Sequence, residues 1–286
     1  MTVQEIRQQA RALFASPTPL LDCDCLLAAA LRTTRTALLA HGERALSAAE
    51  AAQFRALAEK RRAGLPVAYL TGTKEFFGIS FAVSPAVLIP KPDTELLVEK
   101  TLEAVGKLAA RQPARPVSLA DVCTGSGCVA VAVAANAECP LDVAAFDISA
   151  DALAVAAGNA RRNLPPEKLR RLRFVCADLF GGSTETFDLV ASNPPYVPSA
   201  LARELLADGR GEPALALDGG RDGLDVIRRL AGEAWRRLSA GGYFLLETGE
   251  YHSGAAQAEL AQQGFADIAA YADLSGQPRV IRARRA

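Results

Sequence analysis

The spacing of hydrophobic residues changes once along this chain, near residue 72. Before that point apolar residues recur every three to four positions, as in residues 3–14, which is typical of a helix with one buried face. Thr18-Pro19 predicts the start of a second helix, and the capping box Ser47-Ala-Ala-Glu50 predicts a third that ends near Gly64. Residues 1–72 are therefore predicted to form a small N-terminal helical bundle.

Residues 73–90 carry a different pattern, in which two short β-like runs flank Gly78. This predicts a β-hairpin that joins the bundle to the rest of the chain. The segment Ile89-Pro90-Lys91-Pro92-Asp93 then stiffens the backbone, and Thr94 is predicted to cap the helix that follows it.

After Pro116, apolar runs of strand length alternate with helical patterns. Strands are predicted at residues 117–122, 143–146, 173–177, 187–191, 243–247, 266–271 and 280–284. Such alternation is typical of a parallel sheet with helices on both faces. The predicted fold class for residues 91–286 is therefore α/β, with a mostly parallel, doubly wound sheet.

Composition narrows the possible partners. The 286 residues are half apolar and carry a formal net charge of zero, which disfavours long DNA or RNA as a stable partner. The basic clusters Arg61-Arg62, Arg170-Arg171 and Arg282 to Arg285 are predicted to be solvated surface.

Six cysteines are present without any C-x-x-C pair, together with only two histidines, so no metal site is expected. Four of these cysteines lie in or beside predicted strands and helices as small apolar residues, which favours a reducing cytoplasm. The N-terminal residues do not resemble a signal peptide, and no apolar run is long enough to cross a membrane.

The segment Asp121-Val-Cys-Thr-Gly-Ser-Gly127 lies between a predicted strand and a predicted helix, which is the arrangement of a nucleotide-type pocket. Gly125 and Gly127 let the backbone approach a ligand, and free N–H groups at the helix start favour an anion. Asp147 ends the next strand, where it can accept hydrogen bonds from ribose hydroxyls. Because residues 125–130 also fit G-x-G-x-x-A, the glycines alone leave a dinucleotide and S-adenosylmethionine equally open.

Two further strand ends favour S-adenosylmethionine. Asp178 and Leu179 follow the third strand, where a carboxylate can bind an adenine amine and a leucine can cover the ring, although Asp178 could instead be a helix N-cap or a turn Asp. The tetrapeptide Asn193-Pro194-Pro195-Tyr196 follows the fourth strand. Its oxygen-rich, donor-poor backbone suits a planar NH₂ group, with the Asn193 side-chain oxygen and the Pro194 carbonyl as acceptors and Tyr196 against the flat face. A dehydrogenase has no use for this last feature.

Together these motifs resemble the class I (Rossmann-like) methyltransferases that modify the glutamine of peptide chain release factors, over nearly the whole chain. The motifs that carry the resemblance are residues 121–127, Asp147-Ile-Ser, the tetrapeptide 193–196, Ile89 to Glu95, Arg61 to Pro66 with Tyr69 and Gly72, Glu212 to Leu215, and Gly219 to Gly223. The resemblance implies S-adenosylmethionine as cofactor and the glutamine of the Gly-Gly-Gln motif as methyl acceptor. It also implies that the helical domain, residues 1–72, docks the release factor, with residues 73–90 as a hairpin linker and 91–286 as the methyltransferase domain.

Carried over residue by residue, the resemblance assigns cofactor binding to Cys123, Thr124, Gly125, Ser126, Gly127, Asp147, Asp178, Leu179 and Asn193. It assigns substrate binding to Asn193, Pro194, Pro195 and Tyr196, with Asn193, Pro194 and Tyr196 as the catalytic residues.

Two positions depart from the family pattern: Cys123 replaces the usual Gly, and Lys91 the usual Arg. Cys123 followed by Thr-Gly-Ser-Gly-Cys128 also resembles the motif of the sister enzyme that methylates a glutamine of a large-subunit ribosomal protein. This enzyme remains an alternative. An adenine-specific DNA methyltransferase is a second alternative, but such an enzyme needs a target-recognition domain. The one extra segment that could supply it, residues 198–222, is short for a domain and mixed in charge. A monomer is expected.

Overall fold

The computed structural model describes residues 1–207 and 211–286. Contacts divide the chain into two compact units. The first contains Met1–Thr73 with the described part of Leu205–Gly211, and the second contains Lys74–Glu204 and Glu212–Ala286. Residues 208–210, part of the extra segment 198–222, lie outside the described residues.

The first unit is helical. Its helices are α1 (Val3–Gln8), α2 (Ala10–Leu13), α3 (Pro19–Ala30), α4 (Arg35–Ala40), α5 (Ala48–Arg62) and α6 (Val67–Thr71). Ser47 begins α5 with the predicted capping box. The single helix predicted over residues 3–14 is wrong, because the Gln9 N–H bonds three residues back to the Ile6 carbonyl and closes α1 in a tight turn. Helices α4 and α6 were not predicted, since five or six residues give too few turns for a periodic pattern.

Two buried carboxylates on α3 hold neighbouring helices. Arg7 on α1 donates to Asp24 at 2.6 Å, and Arg61 on α5 donates to Asp22 at 2.8 Å. Arg61 also donates to the Leu65 carbonyl at 3.2 Å. The expectation that Arg61 is a solvated surface residue is therefore wrong, since its partner lies 39 residues away in the sequence.

The second unit contains a seven-stranded sheet. Its strands are β3 (Val117–Val122), β4 (Leu141–Asp147), β5 (Leu172–Cys176), β6 (Phe187–Ser192), β7 (Leu238–Glu247), β8 (Phe265–Ala272) and β9 (Pro278–Arg285). Their order is β5-β4-β3-β6-β7-β9-β8. The first five strands in this order are parallel, and only β9 runs the other way, so that its pairings with β7 and with β8 are both antiparallel. The predicted fold class is confirmed.

Helices cover both faces of this sheet. The helices after residue 90 are α7 (Thr94–Arg111), α8 (Cys128–Asn136), α9 (Ala150–Asn163), α10 (Pro166–Leu169), α11 (Ser199–Ala207), α12 (Asp225–Arg237) and α13 (Ser253–Gln262). One core cluster forms with residues of α7, α8 and α9, and a second forms with residues of α12 and α13. Odd and even positions of each central strand therefore face different cores, which is why these strands are apolar throughout.

The hairpin, β1 (Thr73–Phe76) and β2 (Ile79–Ala82), is present as predicted. Phe76 and Phe81 are fully buried in the first sheet core, with ring centroids 5.9 Å apart. The Asn159 side chain on α9 bonds both backbone polar groups of Ala82. The hairpin from Lys74 onward thus belongs to the second unit, whereas the sequence interpretation gave residues 73–90 to a separate linker.

The order in which the chain adds strands to the sheet reverses between β3 and β6. The chain passes outward from β3 to β4 and β5 on one side, and from β6 to β7 on the other. Val122 and Ser192, the last residues of β3 and β6, are paired, and the Ser192 hydroxyl donates to the Val122 carbonyl at 2.6 Å. Open α/β sheets bind ligands at such a switch point, so the segments that follow these two strands are placed together.

Among the described helices, none is long and apolar enough to cross a membrane. Within residues 1–207 and 211–286, no group of three His, Cys, Asp or Glu side chains is placed to hold a metal ion.

Candidate active site

The turn after β3 is shaped by left-handed backbone conformations. Cys123, Gly125 and Gly127 have φ angles of 61°, 55° and 77°. A Cβ on Gly127 would lie 3.0 Å from the Ala156 Cβ, so glycine lets α8 pack closely on α9. A Cβ on Gly125 would meet nothing within 4 Å, so at this position the backbone borders open space.

Asp121 holds this turn from inside the protein. Its Oδ2 accepts hydrogen bonds from the Thr124 hydroxyl at 2.6 Å and from the Ala130 N–H at 3.1 Å. Burial raises the pKa of Asp121 to about 7, and these two hydrogen bonds oppose that shift.

Asp147 ends β4 beside the turn. Its Oδ2 accepts the Gly125 N–H at 2.8 Å, and its Oδ1 accepts the Ser149 N–H at 2.9 Å. Burial raises the pKa of this carboxyl, and the backbone hydrogen bonds oppose the shift. Each oxygen keeps a lone pair for a further donor, so the carboxylate is already oriented for a pair of hydroxyls.

Asp178 and Leu179 follow β5. Asp178 Oδ2 accepts from Arg229 at 2.6 Å, which leaves Oδ1 available. Leu179 is buried and has a φ of 51°. No helix follows Asp178, so it is not an N-cap. It does begin a turn, the other alternative, in which its carbonyl accepts the Gly181 N–H at 2.9 Å.

The tetrapeptide after β6 is fixed at both ends. The Asn193 Nδ2 donates to the Thr94 hydroxyl at 3.1 Å, and the Tyr196 hydroxyl lies 3.5 Å from Glu247 Oε1. Burial, with the nearby Glu247, raises the pKa of Tyr196 above its usual value. The sequence interpretation made Thr94 a helix cap. That was wrong, because Asp93 precedes α7 as its N-cap and Thr94 is the first helical residue.

A glycine-rich loop packs directly behind the tetrapeptide. A Cβ on Gly219 would lie 2.7 Å from the Tyr196 Cα and 2.8 Å from the Pro195 carbonyl oxygen. A Cβ on Gly223 would lie 2.4 Å from the Tyr196 carbonyl oxygen. Real Cβ atoms do not tolerate such distances, so these two positions require glycine.

Lys91 pairs with Glu212 at 2.6 Å. The Ile89 N–H also points to this carboxylate, at 3.4 Å. Two motifs that lie 121 residues apart in the sequence are thus linked through one buried acid. Lys91, one of the two positions that depart from the pattern noted in the sequence, thus has a defined partner.

These segments line one cavity of about 260 Å³ in the second unit. Of the predicted site residues, the cavity is lined by Cys123, Thr124, Gly125, Ser126, Asp147, Asp178, Leu179, Asn193 and Pro195. Gly127, Pro194 and Tyr196 are not part of its wall. Sequence reasoning missed Thr94, which lines the cavity, and Glu247, which ends β7. The only available signal was an acid at the end of an apolar strand.

The donor and acceptor groups of the cavity fit S-adenosylmethionine. Open space borders the backbone at Gly125 next to the start of α8, where free N–H groups suit the methionine carboxylate. Asp147 presents oriented oxygens for ribose hydroxyls, and Asp178 has a free oxygen for an adenine amine. Leu179 supplies an apolar surface in the same wall.

Comparison with known proteins agrees with this arrangement. Residues 5–72 match the family model described as PrmC N-terminal domain, and residues 94–208 match the one described as methyltransferase small domain. The release factor glutamine methyltransferase of Bordetella pertussis is 41% identical over 273 residues, covering 94% of this chain and 96% of the relative. The enzyme of the same name from Burkholderia pseudomallei is 40% identical over 278 residues, covering 96% and 95%.

A solved methyltransferase from Pyrococcus furiosus is similar to 74% of this chain and 91% of its own length, with a TM-score of 0.51 and 19% identity, and so shares the fold. Identity of about two residues in five over nearly the whole length decides the family. The chain is an S-adenosylmethionine-dependent methyltransferase that belongs to the release factor glutamine methyltransferase family.

Proposed function

We propose that this enzyme methylates the side-chain amide nitrogen of the glutamine in the Gly-Gly-Gln motif of peptide chain release factors. The observation that carries the proposal is the position of Asn193, which lines the same cavity as the turn after β3. Methyl donor and amide acceptor can therefore meet at the switch point of the sheet. The names of the relatives support the same substrate.

In this proposal Thr124 to Gly127 with Cys123 hold the methionine part of the cofactor. Asp147 binds the ribose, and Asp178 with Leu179 binds the adenine. S-adenosylmethionine, when bound, supplies an electrophilic methyl group on a sulfonium. The protein supplies the pocket and the orientation of the acceptor. Orientation alone can lower the activation barrier by up to about 7–11 kcal/mol when the reacting groups are well aligned.

The tetrapeptide holds the glutamine amide. The Asn193 Oδ1 and the Pro194 carbonyl each accept one amide hydrogen, while Pro195 lacks an N–H that could compete, and Tyr196 packs against the amide plane. An amide nitrogen is a poor nucleophile because its lone pair is delocalised. As it gains positive charge its N–H bonds to these acceptors strengthen, so the transition state is stabilised more than the bound substrate. The methylated amide then loses one proton to solvent, and no base is required.

The helical unit is the proposed docking surface for the release factor. It has its own core cluster, which includes Val3, Ile6, Leu26, Leu27 and Phe54. We further infer that the enzyme acts as a monomer, without stable nucleic-acid or membrane partners, in the cytoplasm. Cys23, Cys123, Cys128, Cys139 and Cys176 are free thiols, which suits a reducing compartment.

Methylation assays with labelled S-adenosylmethionine test the substrate. We expect label in a release factor, and none in a large-subunit ribosomal protein or in duplex DNA. A release factor whose Gly-Gly-Gln glutamine is replaced by asparagine is the matched control and should stay unlabelled. Label that appears only in the ribosomal protein or only in DNA would replace the proposal with one of the two alternatives.

A further inference from the structure

We propose that Glu247 acts through Thr94 to set the orientation of the Asn193 amide, and is a positioning residue for methyl transfer. This inference rests on the proposed function, because it concerns which atom of Asn193 faces the glutamine. It identifies a residue at the end of β7 that lies 54 positions beyond the tetrapeptide's first residue and does not itself line the cavity.

The three side chains form a short relay. Glu247 and Thr94 are 1% and 2% exposed, and Asn193 is half-buried at the cavity wall. The Asn193 Nδ2 donates to the Thr94 hydroxyl at 3.1 Å. The Thr94 hydroxyl also stabilises the ionised form of the Glu247 carboxyl and so lowers its pKa.

The direction of the relay follows from the chemistry of its end. An ionised carboxylate can only accept hydrogen bonds, so the Thr94 proton points to Glu247. The Thr94 oxygen then accepts, and the only donor of the Asn193 side chain is its NH₂ group. The Asn193 Oδ1 is therefore turned away from Thr94 and is free to accept a hydrogen from the substrate amide.

The same carboxyl reaches the other end of the tetrapeptide, because the Tyr196 hydroxyl lies 3.5 Å from its Oε1. Its Oε2 has no hydrogen-bond partner among the described residues. A buried acid with an unused oxygen weakens the fold, since desolvation of that oxygen is not compensated. A role in orienting the site explains why this acid is nevertheless present.

Protonation of the Glu247 carboxyl would reverse the direction of the hydrogen bonds through Thr94. The charged and titratable groups that face Glu247 are Asp93 before α7, Cys128 at the start of α8, Arg279 on β9 and Tyr196 after β6. Burial, with a smaller contribution from Asp93, raises the pKa of Glu247 to about 7, while Thr94, Arg279 and Tyr196 oppose the shift. A neutral carboxyl can donate to Thr94, whose proton can then turn to the Asn193 oxygen and draw that oxygen away from the substrate.

The test is the pH dependence of single-turnover methylation of a release factor between pH 6 and 8. A group with a pKa of about 7 is ionised to about one part in eleven at pH 6 and ten in eleven at pH 8, so the wild-type rate should rise about tenfold. Glu247→Gln, which mimics the neutral carboxyl, should abolish this rise and lower the rate at pH 8 by at least tenfold. Its affinity for S-adenosylmethionine and its melting temperature should not fall, since it removes a buried charge.

Variants of Thr94 test the intermediate step. Thr94→Val removes the hydroxyl at constant shape and should also give a flat pH profile, whereas Thr94→Ser keeps the hydroxyl and should retain the rise. Thr101→Val is the matched control: Thr101 is on the same helix, fully buried, and donates to the Leu97 carbonyl at 2.7 Å. It should keep the wild-type profile. The double variant Thr94→Val with Glu247→Gln should be no slower than Thr94→Val alone.

A rise in rate between pH 6 and 8 that persists in Glu247→Gln would overturn the inference. Additive losses of rate in the double variant would overturn it as well. If the Gln variant loses stability, cofactor affinity and rate together at every pH, the role is structural and the inference fails. The proposed function fails separately, when the wild-type enzyme transfers no label to the release factor at any pH.

Discussion

Asn193 and Asp147 each use part of their hydrogen-bonding capacity inside the protein and leave the rest facing the cavity. The Asn193 NH₂ group donates to the Thr94 hydroxyl, and the Asp147 carboxylate accepts hydrogen bonds from two backbone N–H groups. These internal bonds orient the free acceptors before any ligand arrives. Preorganised acceptors cost no reorganisation during the reaction, so substitutions of these residues should change rate and affinity more than stability.

Asn193→Ala should lower the single-turnover rate on the order of a thousandfold, because an acceptor aimed at developing charge is worth roughly 3–4 kcal/mol. Asn193→Asp keeps the acceptor but loses the donor to Thr94, so it should be slower than wild type and faster than Ala. Quenched-flow methylation with cofactor saturating measures this order. Asn136→Ala, at the end of α8, is the control for a lost amide and should be unaffected. Near-normal turnover in Asn193→Ala would refute the acceptor role.

Asp147→Ala should weaken the binding of S-adenosylmethionine by about ten- to a hundredfold, since it removes charge-assisted hydrogen bonds of about 1.5 kcal/mol or more each. The Gly125 N–H also loses its acceptor. Calorimetric titration measures the dissociation constant. Asp142→Ala is a matched control, because Asp142 lies on the same strand but is exposed and paired with Arg171 at 2.7 Å. Equal affinities for the two variants would mean that Asp147 does not contact the cofactor.

At the scale of elements, one loop determines the position of another. The loop 219–223 contacts the backbone of the tetrapeptide at distances that only glycine allows. Its shape is held by Asp218, which accepts from the Ser199 hydroxyl at 2.6 Å and from the Gly220 N–H at 2.9 Å. The N–H of Gly219 in turn bonds to the Val197 carbonyl at 2.8 Å. The acceptor loop is thus supported from behind by backbone contacts.

Gly219→Ala should displace the tetrapeptide, because its Cβ would lie 2.7 Å from the Tyr196 Cα, a backbone atom that cannot move without moving the tetrapeptide. We expect a loss of activity of at least tenfold, with a lower melting temperature from overpacking of about 1–3 kcal/mol. Gly254→Ala on α13 is the matched control, since a Cβ there meets nothing within 4 Å and alanine favours a helix. Calorimetry and initial rates distinguish the two, and a fully active Gly219→Ala would show that the loop tolerates movement.

At the scale of the whole molecule, the chain forms two units with separate cores. The residues that line the cavity all belong to the second unit. Cofactor binding and docking of the release factor are therefore expected to respond differently to changes in the first unit.

Deletion of residues 1–72 should leave the dissociation constant of S-adenosylmethionine nearly unchanged and raise the Michaelis constant for the release factor sharply. The isolated helical unit, added in excess to the full-length enzyme, should inhibit methylation by competing for the release factor. Full catalytic efficiency in the truncated protein, or no inhibition by the isolated unit, would contradict the docking role. The competition arm also covers the case in which the truncated protein does not fold.

The sequence by itself determined the order and type of the main elements of the methyltransferase unit. Apolar runs of strand length, capping residues and glycine turns act over a few positions, so the strands ending at Val122, Asp147 and Ser192 could be predicted. The segments following these strands were predicted for the same reason. The short helices α4 and α6 escaped prediction, because they have too few turns to show a period.

Tertiary structure decided which distant side chains meet. The strand order, with β3 beside β6, brings the turn after Val122 next to Asn193. Contacts such as Asn193 with Thr94, 99 residues apart, depend on how α7 packs against the sheet and leave no local pattern. The same holds for Glu247, whose burial and altered pKa arise only once β7, α7 and the tetrapeptide surround it. Local chemistry thus selected the segments that form the site, and nonlocal packing set the partners and the protonation of the groups within it.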